Sequence, residues 1–249
     1  ELLREYSADE QEYKQYIQSL KNSVLTAFYT PDEVVKAISE SLQENGVIPQ
    51  RFLDPSAGMG VFAEQFREGT KAMEIHSFEK DKLTGRLLSA LCPQDSVTID
   101  SFQTIQPHYT NYFDVVSSNI PFGDTKVYDR DFDKSDDEIR RFALGAVHNY
   151  FFLKGVDALR EGGILAYITS TGIMDSMRNR PVREWLMNHT RLVSTVRLPN
   201  NLFTDAGTEV SSDLIILQKH TGKQELTENE LNFIETRTLS DGIYIVSIR

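Results

Sequence analysis

The chain has 249 residues, 40% of them hydrophobic, enough to bury a full core as one large α/β domain with room for a small appendage. No apolar run approaches membrane-spanning length, and Glu1-Leu2-Leu3-Arg4-Glu5 has neither the basic start nor the apolar centre of a signal peptide, so a soluble, cytoplasmic protein is expected. A net charge of −11 argues against this segment gripping nucleic acid alone, because backbone neutralisation by Lys and Arg supplies most non-specific affinity; a local basic lip stays compatible with an acidic whole.

In chain order, residues 1 to 22 carry Leu2, Leu3, Tyr6, Tyr13, Tyr16, Ile17 and Leu20 among charges, a helical stripe that packs on something larger. Thr30-Pro31 followed by Glu33 reads as a helix start: a capping hydroxyl, Pro at the first helical position and a capping-box glutamate. The alternative is that Thr30 and the open amides of that helix end face a ligand carboxylate. Arg51-Phe52-Leu53-Asp54 is a buried strand leading into Pro55-Ser56-Ala57-Gly58-Met59-Gly60-Val61-Phe62 and a helix over residues 63 to 67. Strand, acid, Gly-x-Gly, helix is a ligand loop, since glycines let the backbone turn sharply and approach a bound molecule closely. The third glycine of a dinucleotide fingerprint and the Lys-Ser/Thr of a phosphate loop are both missing. An acid before the glycines repels phosphate and suits an amino group.

Glu74-Ile75-His76-Ser77-Phe78 is the second strand, with a helix over residues 82 to 91 behind it. Its terminal acid, Glu79, stands where such units accept both protons of a ribose diol, the plainer role being a solvated loop charge. Val97-Thr98-Ile99-Asp100-Ser101-Phe102 reads as a third strand whose acid and aromatic can hold the edge and face of an adenine ring. Phe113-Asp114-Val115-Val116-Ser117-Ser118-Asn119 is a fourth, running into Ile120-Pro121-Phe122-Gly123. An amide, a rigid Pro and an aromatic ring at a strand's carboxyl end can pinch a planar substrate, although an ordinary turn has the same composition.

The charge run over residues 124 to 138 has no period and reads as a loop, either a substrate lid or a solvated linker. A helix is expected over residues 139 to 160, including His148-Asn149-Tyr150-Phe151-Phe152. Glu161-Gly162-Gly163 then turns into the strand Ile164-Leu165-Ala166-Tyr167-Ile168-Thr169. A further helix spans residues 177 to 188, and strands follow at 192 to 198 and 213 to 217. Strands alternating with helices imply a mostly parallel sheet. Residues 221 to 230 read as a polar linker, and Phe233-Ile234 with Ile243-Tyr244-Ile245-Val246 as a small hairpin or the start of another domain. The implied division is a helical extension over 1–26, a main domain over 27–220 and a linker with a short β extension over 221–249. Cys92 stands alone, which excludes a disulfide framework and a thiolate cage, and the five histidines show no metal-ligand spacing. A chain that begins without Met is expected to be a fragment.

Taken together, these stretches resemble the gamma class of S-adenosylmethionine-dependent N6-adenine DNA methyltransferases, and most closely the modification subunits of type I restriction systems. The likeness rests on Phe28-Tyr29-Thr30-Pro31, Asp54 to Phe62, Glu79, Asp100-Ser101-Phe102 and Asn119-Ile120-Pro121-Phe122. It extends through Glu161-Gly162-Gly163-Ile164-Leu165-Ala166-Tyr167-Ile168 to Arg197-Leu198-Pro199, Leu202-Phe203 and Gly207-Thr208. The resemblance implies a seven-stranded, mostly parallel Rossmann-like sheet with helices on both faces and the last strand antiparallel. It implies S-adenosyl-L-methionine as cofactor, held by Tyr29, Thr30, Pro31, Asp54, Pro55, Ser56, Ala57, Gly58, Gly60, Phe62, Glu79, Lys80, Asp100, Ser101, Phe102 and Asn119, with no metal. Asn119, Ile120, Pro121 and Phe122 are the implied catalytic residues, acting on adenine in double-stranded DNA presented by a separate recognition domain or subunit. Ile120 departs from the family's usual Pro at a position that works through its backbone carbonyl, which any residue possesses. Two alternatives stay open: methylation of a glutamine amide in protein, and a catalytically inactive cofactor-binding or assembly module.

Overall fold

The computed structural model describes residues 7–25, 30–68, 73–200, 211–238 and 244–246. Seven strands form one sheet: β1 (Arg51–Asp54), β2 (Glu74–Phe78), β3 (Ser96–Thr98), β4 (Phe113–Asn119), β5 (Leu159–Ser170), β6 (Thr190–Arg197) and β7 (Ser212–Lys219). Their order across the sheet is β3-β2-β1-β4-β5-β7-β6. The pairs from β3 to β5 are parallel, and β7 runs antiparallel between β5 and β6. The expected sheet is therefore present, including its one reversed strand.

The central strands carry apolar runs such as Phe52-Leu53, Val115-Val116 and Ile164-Leu165-Ala166 because both sheet faces are covered there, whereas the edge strands β3 and β6 are partly exposed. Successive side chains point to opposite faces. Phe52, Val115, Ala166 and Ile168 accordingly share a core with Val35, Ile38 and Leu42 of helix α2 (Asp32–Glu44) and with Phe62 and Phe66 of α3 (Val61–Arg67). Leu53, Val116, Leu165 and Tyr167 pack on the other side. Their partners there come from α7 (Val147–Ala158) and α8 (Arg180–His189). Helix α1 (Glu10–Leu25) lies against α4 (Lys82–Leu91), where Arg86 pairs with Glu12 at 2.7 Å and sits over the Tyr16 ring. Leu2, Leu3 and Tyr6 of the N-terminal stripe lie outside the described residues, as do Leu202, Phe203, Gly207 and Thr208.

Several local expectations change. Helix α2 begins at Asp32 with Pro31 in an extended conformation (ψ 137°) and no side-chain cap, so Thr30 sits one residue too far out to cap it. The helix expected over 139–160 is two, α6 (Glu138–Ala143) and α7, interrupted at Leu144-Gly145-Ala146. Glu161-Gly162-Gly163 is an irregularity inside β5 and not a turn before it: the β4–β5 register shifts there, and a Cβ on Gly163 would sit 3.0 Å from the Asp114 carbonyl. The third strand ends at Thr98, and Phe102 opens a 3₁₀ turn (Phe102–Thr104).

The charge run is tied down in its second half. Asp129 is buried and accepts from the Asp131 and Phe132 amides, from the Tyr150 hydroxyl at 2.7 Å and from the Lys154 ammonium at 3.0 Å, starting α5 (Arg130–Asp133). Burial alone raises its pKa, but Tyr150 and Lys154 hold it below the ordinary carboxylate value.

Phe233 and Ile234 belong to a helix, α9 (Glu228–Ile234), and are buried in the main core; the hairpin pairs β8 (Thr236–Thr238) with β9 (Tyr244–Val246). This segment is fastened by Arg183, a fully buried side chain. Its guanidinium donates to the carbonyls of Ile234 (3.0 Å), Ile173 (2.9 Å) and Ser176 (2.8 Å). Replacing it strands three buried carbonyls, so Arg183→Leu is expected to cost about 3–5 kcal/mol of stability, measured by urea unfolding.

Candidate active site

Strands β1, β2 and β3 progress toward one edge of the sheet while β4 and β5 progress toward the other, so the order reverses between β1 and β4. Ligands in open α/β sheets bind beyond the strand carboxyl ends at such a switch point. Here a cleft of about 670 Å³ opens, lined by the loop after β1, the ends of β2 and β4, and residues 100–103.

The glycine loop is fixed by backbone bonds. Ala57 N–H donates to the Phe78 carbonyl at 2.9 Å, Gly60 N–H to the Ala57 carbonyl at 2.8 Å, and Gly58 N–H to Glu79 Oε2 at 2.8 Å. Gly60 has φ +87°, a conformation that favours glycine, and a Cβ there would lie 2.7 Å from Leu88 Cδ1 and force that side chain to shift. The turn delivers Ser56, Ala57, Gly58 and Met59 to the cleft wall and starts α3, whose Phe62 also lines it.

Asp54 ends β1 completely buried. Its Oδ1 accepts from Ser118 Oγ at 2.7 Å and the Ser56 amide at 3.1 Å, while Oδ2 has no partner among the described residues. Burial pushes its pKa up to about 7; the bonds from Ser118 and Ser56 oppose that rise, and the charge of Glu79 adds to it. Thr30 is the second orphan at the site, its Oγ1 buried at the cleft wall without a partner among the described residues. Glu79 uses one oxygen on Gly58 and the other on the Asp81 amide at 2.7 Å, and burial raises its pKa. The Lys80 amide donates to it as well, which still leaves the carboxylate an acceptor position for a ligand hydroxyl.

Asn119 is the last residue of β4, paired with Ile168, and it reaches the same cleft with Ile120, Pro121 and Phe122. Ile120 donates its N–H to the Ile168 carbonyl at 3.0 Å, adding a rung to the β4–β5 ladder that a Pro could not make. Its side chain is buried in the core. Phe122 is half-buried against the opposite core.

Of the residues singled out from sequence, Thr30, Pro55, Ser56, Ala57, Gly58, Phe62, Glu79, Lys80, Asp100, Ser101, Phe102 and Asn119 line one cleft together with Ile120, Pro121 and Phe122. Asp54 and Gly60 stand behind the wall, Pro31 sits beside Thr30 without lining it, and Tyr29 lies outside the described residues. Phe102 differs from expectation. Its ring is built into the core, 5.7 Å from Phe78 and 5.3 Å from Phe151, so it offers support more than an open stacking face. The cleft also takes in Met59 of the glycine loop and residues 125–127 of the charge run, together with Thr84, Gln103, Val147 and Phe151, which carried no motif. Val147 and Phe151 share a helix face at i, i+4, a spacing that by itself signals packing.

Among the described residues no group of three or more His, Cys, Asp or Glu could hold a metal ion, and no helix is long and apolar enough to cross a membrane.

A family model described as N-6 DNA Methylase matches residues 11–243. The chain is 29% identical over 202 residues to Defense against restriction protein B of Escherichia phage P1, covering 79% of this chain and 8% of that protein. It is 23% identical over 209 residues to the type II methyltransferase M.AccI of Acinetobacter calcoaceticus, covering 81% and 38%. The chain thus spans only a small to moderate part of these curated relatives. Among solved structures, a protein assigned as a type I restriction enzyme modification subunit from Vibrio vulnificus superposes with a TM-score of 0.67 at 16% identity, covering 96% of this chain and 63% of that one. A protein assigned as a class I S-adenosylmethionine-dependent methyltransferase from Listeria monocytogenes gives 0.66 at 17% identity, covering 91% and 72%. The architecture is the class I methyltransferase fold, and the chain belongs to the N-6 DNA methylase family.

Proposed function

We propose that this chain is the catalytic module of a DNA methyltransferase that transfers a methyl group from S-adenosylmethionine to the N6 amine of an adenine flipped out of double-stranded DNA. The observation that carries this reading is the meeting of the glycine loop and Asn119-Ile120-Pro121-Phe122 in one cleft. The cofactor's charge pattern fits two buried residues: the Thr30 hydroxyl lines the cleft as a donor for a carboxylate, and Asp54, buried behind the wall, supplies the negative field that suits an ammonium. Glu79 is suited to the ribose hydroxyls, and Asp100 and Ser101 to the adenine edge. Bound there, the cofactor supplies an electrophilic methyl on a sulfonium.

The chain's own task is to ready the nucleophile. The adenine amine is weak because its lone pair is delocalised into the ring. Two acceptors, the Asn119 side-chain oxygen and the Ile120 carbonyl, draw its protons and localise that pair, so catalysis rests on positioning and electrostatics. Phe122 stacks on the flipped base, a contact worth roughly 1–3 kcal/mol. With a formal charge of −11, DNA binding is assigned to a separate recognition domain or subunit.

Ile120 favours a second reading, a module that binds cofactor without transferring the methyl. Radiolabel transfer by the parent chain and Ile120→Pro, each with DNA and with protein extract, separates the two. Comparable labelling of DNA by both is expected. A silent parent with an active Ile120→Pro would establish the second reading.

Asn119→Ala should lower methyl transfer by about 10²–10³-fold while changing the cofactor Kd by no more than about twofold, checked by calorimetry beside the transfer assay. Asp54 sets a pH dependence. Its folded pKa lies above the unfolded value, so the unliganded chain should lose stability as pH rises through about 7 and the buried carboxyl ionises. A cationic ligand favours the ionised form, so cofactor affinity should fall as pH drops below about 7. Asp54→Asn should flatten both profiles and weaken binding at pH 8.

A further inference from the structure

The loop that carries Asn119-Ile120-Pro121-Phe122 leaves the sheet immediately after Asn119, and a loop that must place two acceptors on one amine needs anchoring. One anchor is the Ile120 N–H to the Ile168 carbonyl; a later one is the Val127 N–H to the Leu144 carbonyl at 2.9 Å. Between them stands Gly123, with φ +109° and nothing within 4 Å of the place a Cβ would take, so the backbone conformation and not crowding calls for glycine there. Its carbonyl meets Nδ1 of His148, on the first turn of α7, at 3.1 Å.

His148 is buried and held from its other side. The Gly123 carbonyl can only accept, so Nδ1 carries the proton and Nε2 is an acceptor. Nε2 faces the Asn179 amide nitrogen at 3.3 Å. That nitrogen also donates to the Gly172 carbonyl at 2.8 Å, which uses both of its protons. The Asn179 oxygen accepts from Asn149 Nδ2 at 2.8 Å. Every donor in this chain points one way, and a second proton on the ring would set N–H against N–H at Asn179. Burial holds the imidazole pKa below its ordinary value; Asp124, the charged group facing it, and the Gly123 carbonyl pull the other way.

We infer that His148 is a positioning residue for methyl transfer: through Gly123 it fixes the Asn119-Ile120-Pro121-Phe122 loop, and Asn179 and Asn149 hold His148 itself in the orientation and tautomer this requires. The inference rests on the function proposed above for that loop. His148 touches no reacting atom; its effect is geometric, and misplacement of about 1 Å can cost 10²-fold in rate.

The test uses His148→Ala and His148→Asn, since the Asn amide can offer a donor close to the place of Nδ1–H. Amide hydrogen exchange is followed by mass spectrometry alongside methyl-transfer kinetics. In His148→Ala, exchange over residues 120–127 should speed up while that over residues 54–60 stays at the parent rate. Its kcat should fall roughly 10–100-fold, with KM for cofactor and DNA within about twofold of the parent. His148→Asn should recover most of both. Unchanged exchange over 120–127, an equal rise along the whole chain, unchanged kcat beside raised exchange, or an Asn variant as impaired as Ala would each overturn the inference. Should His148→Ala not fold, Gly123→Ala strains the same contact from the loop side and should show the same local exchange. The exchange measurement needs no methyl transfer, so a parent without activity would sink the function proposed for the site while leaving the anchor to be decided by exchange.

Discussion

The bond between Ser118 and Asp54 is the constraint on which the site depends. It joins the last residue of β1 to the penultimate residue of β4 across the point where strand order reverses, with the carboxylate wholly out of water. A buried carboxyl with one oxygen unpartnered among the described residues is costly, and it persists because strands on both sides and the Ser56 amide hold it. That one contact sets the glycine turn and the amide-bearing loop side by side. The cleft is thus a product of the sheet's topology, and its chemistry is a product of what stands at two neighbouring strand ends.

Much of the fold was legible because the central strands are buried on both faces. Runs such as Phe52-Leu53 and Val115-Val116 have no polar alternation to confuse with a surface strand, and the helices between them have clear apolar stripes. What escaped was decided by contacts remote in sequence. Thr30-Pro31-x-Glu33 satisfies a local capping rule, yet the extended Pro31 moves the helix start and leaves the Thr30 hydroxyl at the cleft. The charge run after Gly123 conceals Asp129, whose partners Tyr150 and Lys154 lie 21 and 25 residues further on. Nothing in its immediate neighbours distinguishes a buried hub from a solvated acid.

The candidate site shows the same division. Residues delivered by strand ends and by the glycine turn could be named in advance, because topology brings strand ends together and tight turns demand glycine. Phe102 could not be judged from its type: an aromatic after a strand serves equally as a stacking plate or as core, and here its neighbours Phe78, Tyr150 and Phe151 claim it. Val147 and Phe151 were invisible for the converse reason, being core-spaced residues whose helix happens to border the cleft.

The grip of Arg183 on Ile234, Ile173 and Ser176 bears on how this unit can be cut and recombined. A guanidinium sealed in the interior cannot be left behind when the backbone it holds is removed, so a clone ending before residue 228 would open a charged wound in the core. Fusion or domain-exchange work on this scaffold should therefore carry the chain through Ile234 and place its junction beyond that residue.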